Sequence, residues 1–430
     1  MAWGGLAILT VAAAAWAARD EAFDFPYVPY DHPAIDYPKR EPSDVIAQLQ
    51  KRLDSGETKL DYDPKWGYLP GILKQLNIHQ DSQMLVFSKT SFQAPKISPK
   101  RPRALYFNDD AAIGFVPDGD LMEFAAFDPS QGTVFYTLER EKTAKPSFLR
   151  RTDECLACHL IPNTLNVPGL LATSVIPRPD GSLRFAAAAV VVDSRTPLDQ
   201  RWGGWFVTGN SGGLVHRGNA VAPNPDQPDV LDTRGTQNLT SLAGRTDTSA
   251  YLQPTSDLVA LMVLEHQTRM ADLLTRLGWE TRIALQEDKL DEFQSRLQLV
   301  TDATVSYMLF AEEARLPDSI SGVSTFTKTF PERGPRDHQG RSLRDFDLQK
   351  RVFRYPLSYM IYDPAFDALP EVAKSAVYKG LYDALTGKET AGKYARLSAE
   401  DRTAILEILR ETKPDLPSYW RAGNVAKIGG

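Results

Sequence analysis

The chain has 430 residues, of which 42% are hydrophobic and 24% charged, a balance that excludes a disordered or fibrous protein. That length leaves room for two or three domain-sized units around a substantial core. A formal net charge of -6 argues against nucleic acid as the main partner and suits electrostatic steering toward a basic protein.

Residues 1–18 carry no charged side chain, residues 6–15 are apolar, and Ala15-Trp16-Ala17 fits a small-x-small cleavage site. The stretch reads as a secretory signal peptide over residues 1–17, although the usual Lys or Arg at its start is missing. The expected location is periplasmic or otherwise extracytoplasmic. An uncleaved anchor is the alternative, and membrane contact is expected only in that case, because the apolar run falls short of the ~20 residues a span needs.

Residues 42–53 predict a helix, with Pro42 at its start, Ser43-Asp44 in its first turn and Val45, Leu49 and Leu53 four apart. From residue 84 to 138 the pattern changes to short apolar and aromatic runs at 84–87, 104–107, 113–116, 122–127 and 133–137. Turn-forming clusters separate them at roughly ten-residue intervals, which predicts an antiparallel sheet or sandwich.

Cys155-Leu-Ala-Cys-His159 follows. A Cys-x-x-Cys-His run is the attachment site of a c-type haem: two thiols one helical turn apart add to the two vinyl groups, and the adjoining histidine binds the iron. Cys155 and Cys158 are the only cysteines, so neither is left over. A redox pair or half of a zinc site are the alternatives; zinc would want a second pair of soft ligands that no other cysteine supplies.

Residues 183–192 predict a strand, and 205–208 with 213–216 a hairpin around the Gly-rich turn 210–213, whose serine we read as a turn residue rather than a nucleophile. Residues 220–254 lack periodicity and read as a long linker. The period then becomes helical. A helix over 256–277 is expected to begin at a Ser256 cap and to carry Leu258, Met262, His266, Met270 and Leu273 or Leu274 on one stripe. Further helices are expected over 290–314, 355–362, 370–386 and 398–413, the last with a Ser398 capping box, and 320–347 is irregular. The fold class is thus α+β: an N-terminal antiparallel β-rich region (18–245) carrying the haem segment (151–219), then a mainly α-helical region (246–430) closing over the haem.

What binds the second face of the iron decides between electron transfer and catalysis. His266 is the leading candidate distal ligand, because it lies on an apolar helix face between Met262 and Met270; His216 is the runner-up, followed by Met84, Met262 and Met270. Arg201, Trp202, Trp205 and Arg217 lie near the expected hairpin and are candidates to hold the haem propionates.

Through Cys155, Cys158 and His159 the sequence resembles the c-type cytochromes. Four further stretches, Ser82-Gln-Met-Leu-Val-Phe-Ser-Lys-Thr-Ser91, Arg103-Ala-Leu-Tyr-Phe-Asn-Asp109, Arg201-Trp-Gly-Gly-Trp-Phe-Val-Thr-Gly209 and Leu264-Glu-His-Gln267, resemble predicted exported mono-haem cytochrome c domain proteins of unassigned role. That resemblance implies one covalent haem c and a periplasmic redox protein or membrane respiratory complex as partner, but no reaction. The expected function is electron transfer; a haem-dependent oxidoreductase or peroxidase-like enzyme with an open distal face, or a haem-containing subunit or sensor, is the alternative.

Overall fold

Side-chain oxygens in the turns of residues 84–150 fold them into an antiparallel meander. Asn108 Oδ1 accepts from the amides of Asp110 and Ala111, both at 3.0 Å. Asp128 Oδ1 does the same for Ser130 and Gln131, both at 2.9 Å, ahead of Gly132 at φ 82°. The computed structural model, which describes residues 25–183, 189–224, 226–227, 229–388 and 392–421, has strands β1 (Met84–Val86), β2 (Arg103–Phe107), β3 (Ala111–Phe115), β4 (Leu121–Asp128), β5 (Gly132–Glu139) and β6 (Leu149–Arg150). A separate pair, β7 (Ala172–Ser174) and β8 (Val190–Val192), precedes β9 (Trp205–Phe206). The main sheet has seven strands in the order β6-β5-β4-β3-β2-β1-β9. The expected signal peptide and residues 184–188 of the strand expected over 183–192 lie outside the described residues.

The helices are α1 (Val45–Asp54), α2 (Leu69–Gln75), α3 (Asp153–His159), α4 (Leu258–Gln286), α5 (Leu290–Met308), α6 (Phe326–Thr329), α7 (Pro364–Asp367), α8 (Glu371–Leu385), α9 (Ala399–Thr412) and α10 (Ser418–Arg421). The α+β order read from the sequence is the one found. No helix among the described residues is long and apolar enough to cross a membrane.

The sheet has two unlike faces. Tyr106, Ile113, Phe124 and Tyr136 form one cross-strand row, buried against Ile46 and Leu49 of α1 and Leu69 and Ile72 of α2. The opposite face presents small and polar side chains, including Ala112, Gly114, Glu123 and Ala125. Helix α4 joins the halves: 25 of its 29 residues are buried, so it is a core helix rather than an amphipathic surface one. It packs with α5, α7 and α8, while Trp279 and Ile283 near its end enter the core around α1 and α2. Each Leu it buries in the helical core contributes roughly 1.5–3 kcal/mol.

Three expectations need correcting. The cap of α4 is Asp257, whose Oδ1 accepts from Val259 N at 2.8 Å and Ala260 N at 3.3 Å. Ser256 is spent elsewhere, with Oγ donating to Phe206 O (2.6 Å) and accepting from Leu85 N (2.9 Å), and so it staples β9 to β1. Residues 205–216 do not form a hairpin: β9 pairs with the edge of β1, while Asn210 and Ser321 exchange backbone hydrogen bonds of 2.8 Å. The helix expected over 355–362 is only a 3-10 turn at Tyr359–Tyr362, started by Ser358, whose Oγ accepts from Met360 N, and ended at Asp363, which is extended and caps α7.

Candidate functional site

Helix α3 carries Cys155, Cys158 and His159, and none of its residues is buried. Asp153 and Glu154 in its first turn match the positive end of the helix. The two thiols lie three residues apart, on one side of the turn, and both are free. Burial, with Glu123 and Glu154 nearby, pushes the Cys155 thiol up to about 11. Among the described residues no three His, Cys, Asp or Glu side chains converge as a closed metal site would require.

The imidazole of His159 is fixed from behind. Its Nδ1 lies 2.9 Å from the carbonyl oxygen of Gly169, and Gly169 N donates back to His159 O at 2.9 Å. A carbonyl can only accept, so Nδ1 carries the proton and Nε2 keeps its lone pair, the tautomer a metal ligand needs. The partly buried position of the ring strips water from it and holds its pKa below the usual histidine range, which also keeps it neutral. The ring packs on Phe135 of β5 with centroids 4.8 Å apart. Gly169 has no room for a side chain: a Cβ there would sit 2.0 Å from Oδ1 of Asp272 on α4. That oxygen is buried without a hydrogen-bond partner, and burial raises the carboxyl's pKa well above its ordinary value. The loop that orients His159 therefore rests directly on the central helix.

Phe135 belongs to the second sheet face. Its cross-strand neighbours are Ala125, Ala112 and Phe107, and the adjacent row reads Thr137, Glu123, Gly114, Leu105 and Met84. Arg103 lies on the same face and pairs with Glu123 at 2.8 Å. The result is a mixed face of aromatic, aliphatic and small side chains with one half-buried ion pair.

The other sequence candidates gather in a second cluster. Arg201 is buried and its donors are committed to Glu265 (2.8 Å), Thr196 O (2.7 Å) and Ser194 O (3.0 Å). Trp202 Nε1 donates to the other oxygen of Glu265 at 2.5 Å, from a backbone at φ 69°. Trp205 Nε1 donates to Thr173 O at 2.7 Å, and Arg217 Nε to Asp199 O at 3.1 Å. Arg201 and Trp202, expected near the propionates, are thus structural partners of Glu265, whose own pKa burial raises to about 7.

His266 does not meet α3. Its Nε2 lies 2.8 Å from Ser358 Oγ, and its ring is stacked between Tyr307 (5.1 Å) and Phe310 (4.4 Å). On a helix wheel it points about 120° away from Asp272, the residue that touches the His159 loop. His216 is buried edge-on against Trp202 at 5.1 Å and its Nδ1 accepts from Gly218 N at 3.1 Å. Burial depresses both histidines, His216 to about 4 and His266 to about 3. Met262 and Met270 lie in the core around α4, and Met84 on the second sheet face.

The four stretches that carried the sequence resemblance meet around α4. Tyr106 OH donates to Gln83 Oε1 (2.6 Å), Gln267 Nε2 to Asn108 O (2.7 Å), and Arg201 and Trp202 hold Glu265. The sequence reading missed Glu265, Gly169, Asp272 and Phe135. A signal existed for two of them: Glu265, Arg269, Asp272 and Arg276 recur at helical spacing, and in the fold all four are buried. No family model, curated protein or solved structure matches the chain.

Proposed function

We propose that this chain is an exported mono-haem c-type cytochrome, with one haem c bound through Cys155 and Cys158 and ligated by His159, passing electrons to or from a periplasmic redox protein or membrane respiratory complex. The observation that carries the reading is the His159–Gly169 hydrogen bond in a Cys-x-x-Cys-His turn, which leaves Nε2 and two free thiols on one short helix. When bound, the haem supplies a one-electron iron couple. The chain's own residues do the rest. Cys155 and Cys158 anchor the ring edge, Gly169 fixes the imidazole and strengthens it as a donor, and Phe135 packs on the imidazole ring at 4.8 Å.

The mature protein is expected to carry the added mass of one haem, and Cys155→Ala with Cys158→Ala to leave any haem extractable by acid acetone. A mature wild-type protein without that mass ends the proposal. A second reading, a haem-dependent oxidoreductase with an accessible distal face, is favoured by the commitments of His266 and His216 to other partners. On that reading carbon monoxide shifts the spectrum of the reduced protein, and His266→Phe leaves it unchanged. Loss of a low-spin spectrum in His266→Phe would instead return His266 to the iron.

A further inference from the structure

Away from α3, an open cleft of about 910 Å³ lies between the chain following α5 and the start of α9. Seven Lys and Arg side chains line it against three carboxylates, in a protein whose net charge is -6. Two of the seven are neutralised: Arg351 by Asp401 in a bidentate pair (2.7 and 2.9 Å), and Arg341 by Asp337 and Glu407. Arg315, Lys350, Arg354 and Lys393 are exposed and make no ion pair among the described residues. Like charges gathered on a concave wall repel one another and raise the local potential, which favours entry of an anion.

The bottom of the cleft points the same way. Phe310, Ala311 and Glu313 separate it from a smaller hollow that reaches Ser194, whose hydroxyl is buried without a hydrogen-bond partner. Glu313 is itself buried, accepts from Val352 N at 3.2 Å, and is pushed up to about 7 by that burial, so it subtracts little from the positive field below neutral pH. Apolar side chains such as Leu316 and Leu397 supply the rest of the wall. The volume is that of a small-molecule site, and guanidinium groups match carboxylate and phosphate oxygens in geometry as well as charge.

We propose that this cleft binds a small organic polyanion, its charge carried by carboxylate or phosphate groups, through Arg315, Lys350 and Arg354. The site is independent of the haem reading. The test is calorimetric titration of the full-length protein with citrate and with inorganic pyrophosphate at matched ionic strength. Binding of one names the source of the charge, and the double variant Lys350→Glu/Arg354→Glu is expected to weaken it at least about tenfold. Lys59→Glu, an exposed control beyond α1, is expected to leave it unchanged. Arg315→Gln, which only removes a charge at an exposed position, gives the same comparison should the double variant not fold, with a smaller loss expected. No binding of either probe at millimolar concentration overturns the proposal, as does an equal loss in the Lys59→Glu control.

Discussion

Helices α3 and α4 are built on opposite terms. Helix α3 is seven residues long with no fully buried residue, and its His159 is held by the Gly169 carbonyl in a neighbouring loop and by the ring of Phe135. Helix α4 is 29 residues long, buried nearly all round, and carries charges inside the core that are met by other buried groups. A seven-residue helix is too short to be stable by itself in water. The difference teaches that the chain puts its rigidity into α4 and lends it to α3 through the loop 163–169, where Arg269 and Arg276 donate to Asn163 O and Leu165 O and Asp272 lies against Gly169. The reactive groups stay outside, where a cofactor can reach them.

The largest effect expected from breaking this arrangement lies in α4. Glu265→Ala leaves Arg201 as an unpaired buried charge and should cost about 3–5 kcal/mol in urea unfolding. A loss under about 1 kcal/mol would show that water enters the cluster and that α4 is not the rigid partner.

A middle-sized effect is expected from pH. The folded-state pKa of His266 is about 3, below the roughly 6.5 of an unfolded chain, so below pH 6.5 the unfolded state takes up a proton that the folded state refuses. Stability is therefore lost as pH falls from about 6.5 toward about 3, by about 2 kcal/mol from this group at pH 5. Glu265 and Glu313, raised to about 7, act in the opposite sense and lose stability as pH rises from about 4.5 to 7. Comparing His266→Phe with wild type at each pH cancels those carboxyl terms. The variant should gain on wild type as pH falls, and two parallel curves would show that His266 is protonated in the fold.

The smallest effect belongs to α3. Leu156, its half-buried apolar residue, packs at the edge of the core around α1 and α2, and Leu156→Ala should cost less than about 1 kcal/mol, against the 2–5 kcal/mol usual for a core leucine. A core-sized loss, measured by the same denaturation, would place α3 inside the cooperative unit and remove the contrast.

The parts legible in the sequence were those whose cause is local. Five strands could be read because alternating runs and Asn, Asp and Gly turns are written side by side, and Ser398 could be read as a cap because its partner Asp401 lies three residues on. Cys155, Cys158 and His159 were legible as a motif for the same reason. What was not legible depends on residues far apart in the chain. Arg201 looked free for a propionate, but its partner Glu265 lies 64 positions away. His266 looked poised for iron because its stripe is apolar, and the sequence does not say that Ser358, Tyr307 and Phe310 arrive to enclose it. The charges at 265, 269, 272 and 276 would ordinarily be read as a solvated face, since their burial depends on partners outside the helix.

The two outermost strands of the main sheet, β6 and β9, are two residues each. A neighbouring molecule seeking a row of unpaired backbone groups finds at most one or two there, too few to register an added strand. β6 shows an exposed leucine, Leu149, yet beside it Arg150 sends its guanidinium back to Tyr37 O and Arg40 O rather than outward. The sheet thus protects itself from self-association by the brevity of its edges, and the helices need not cover them.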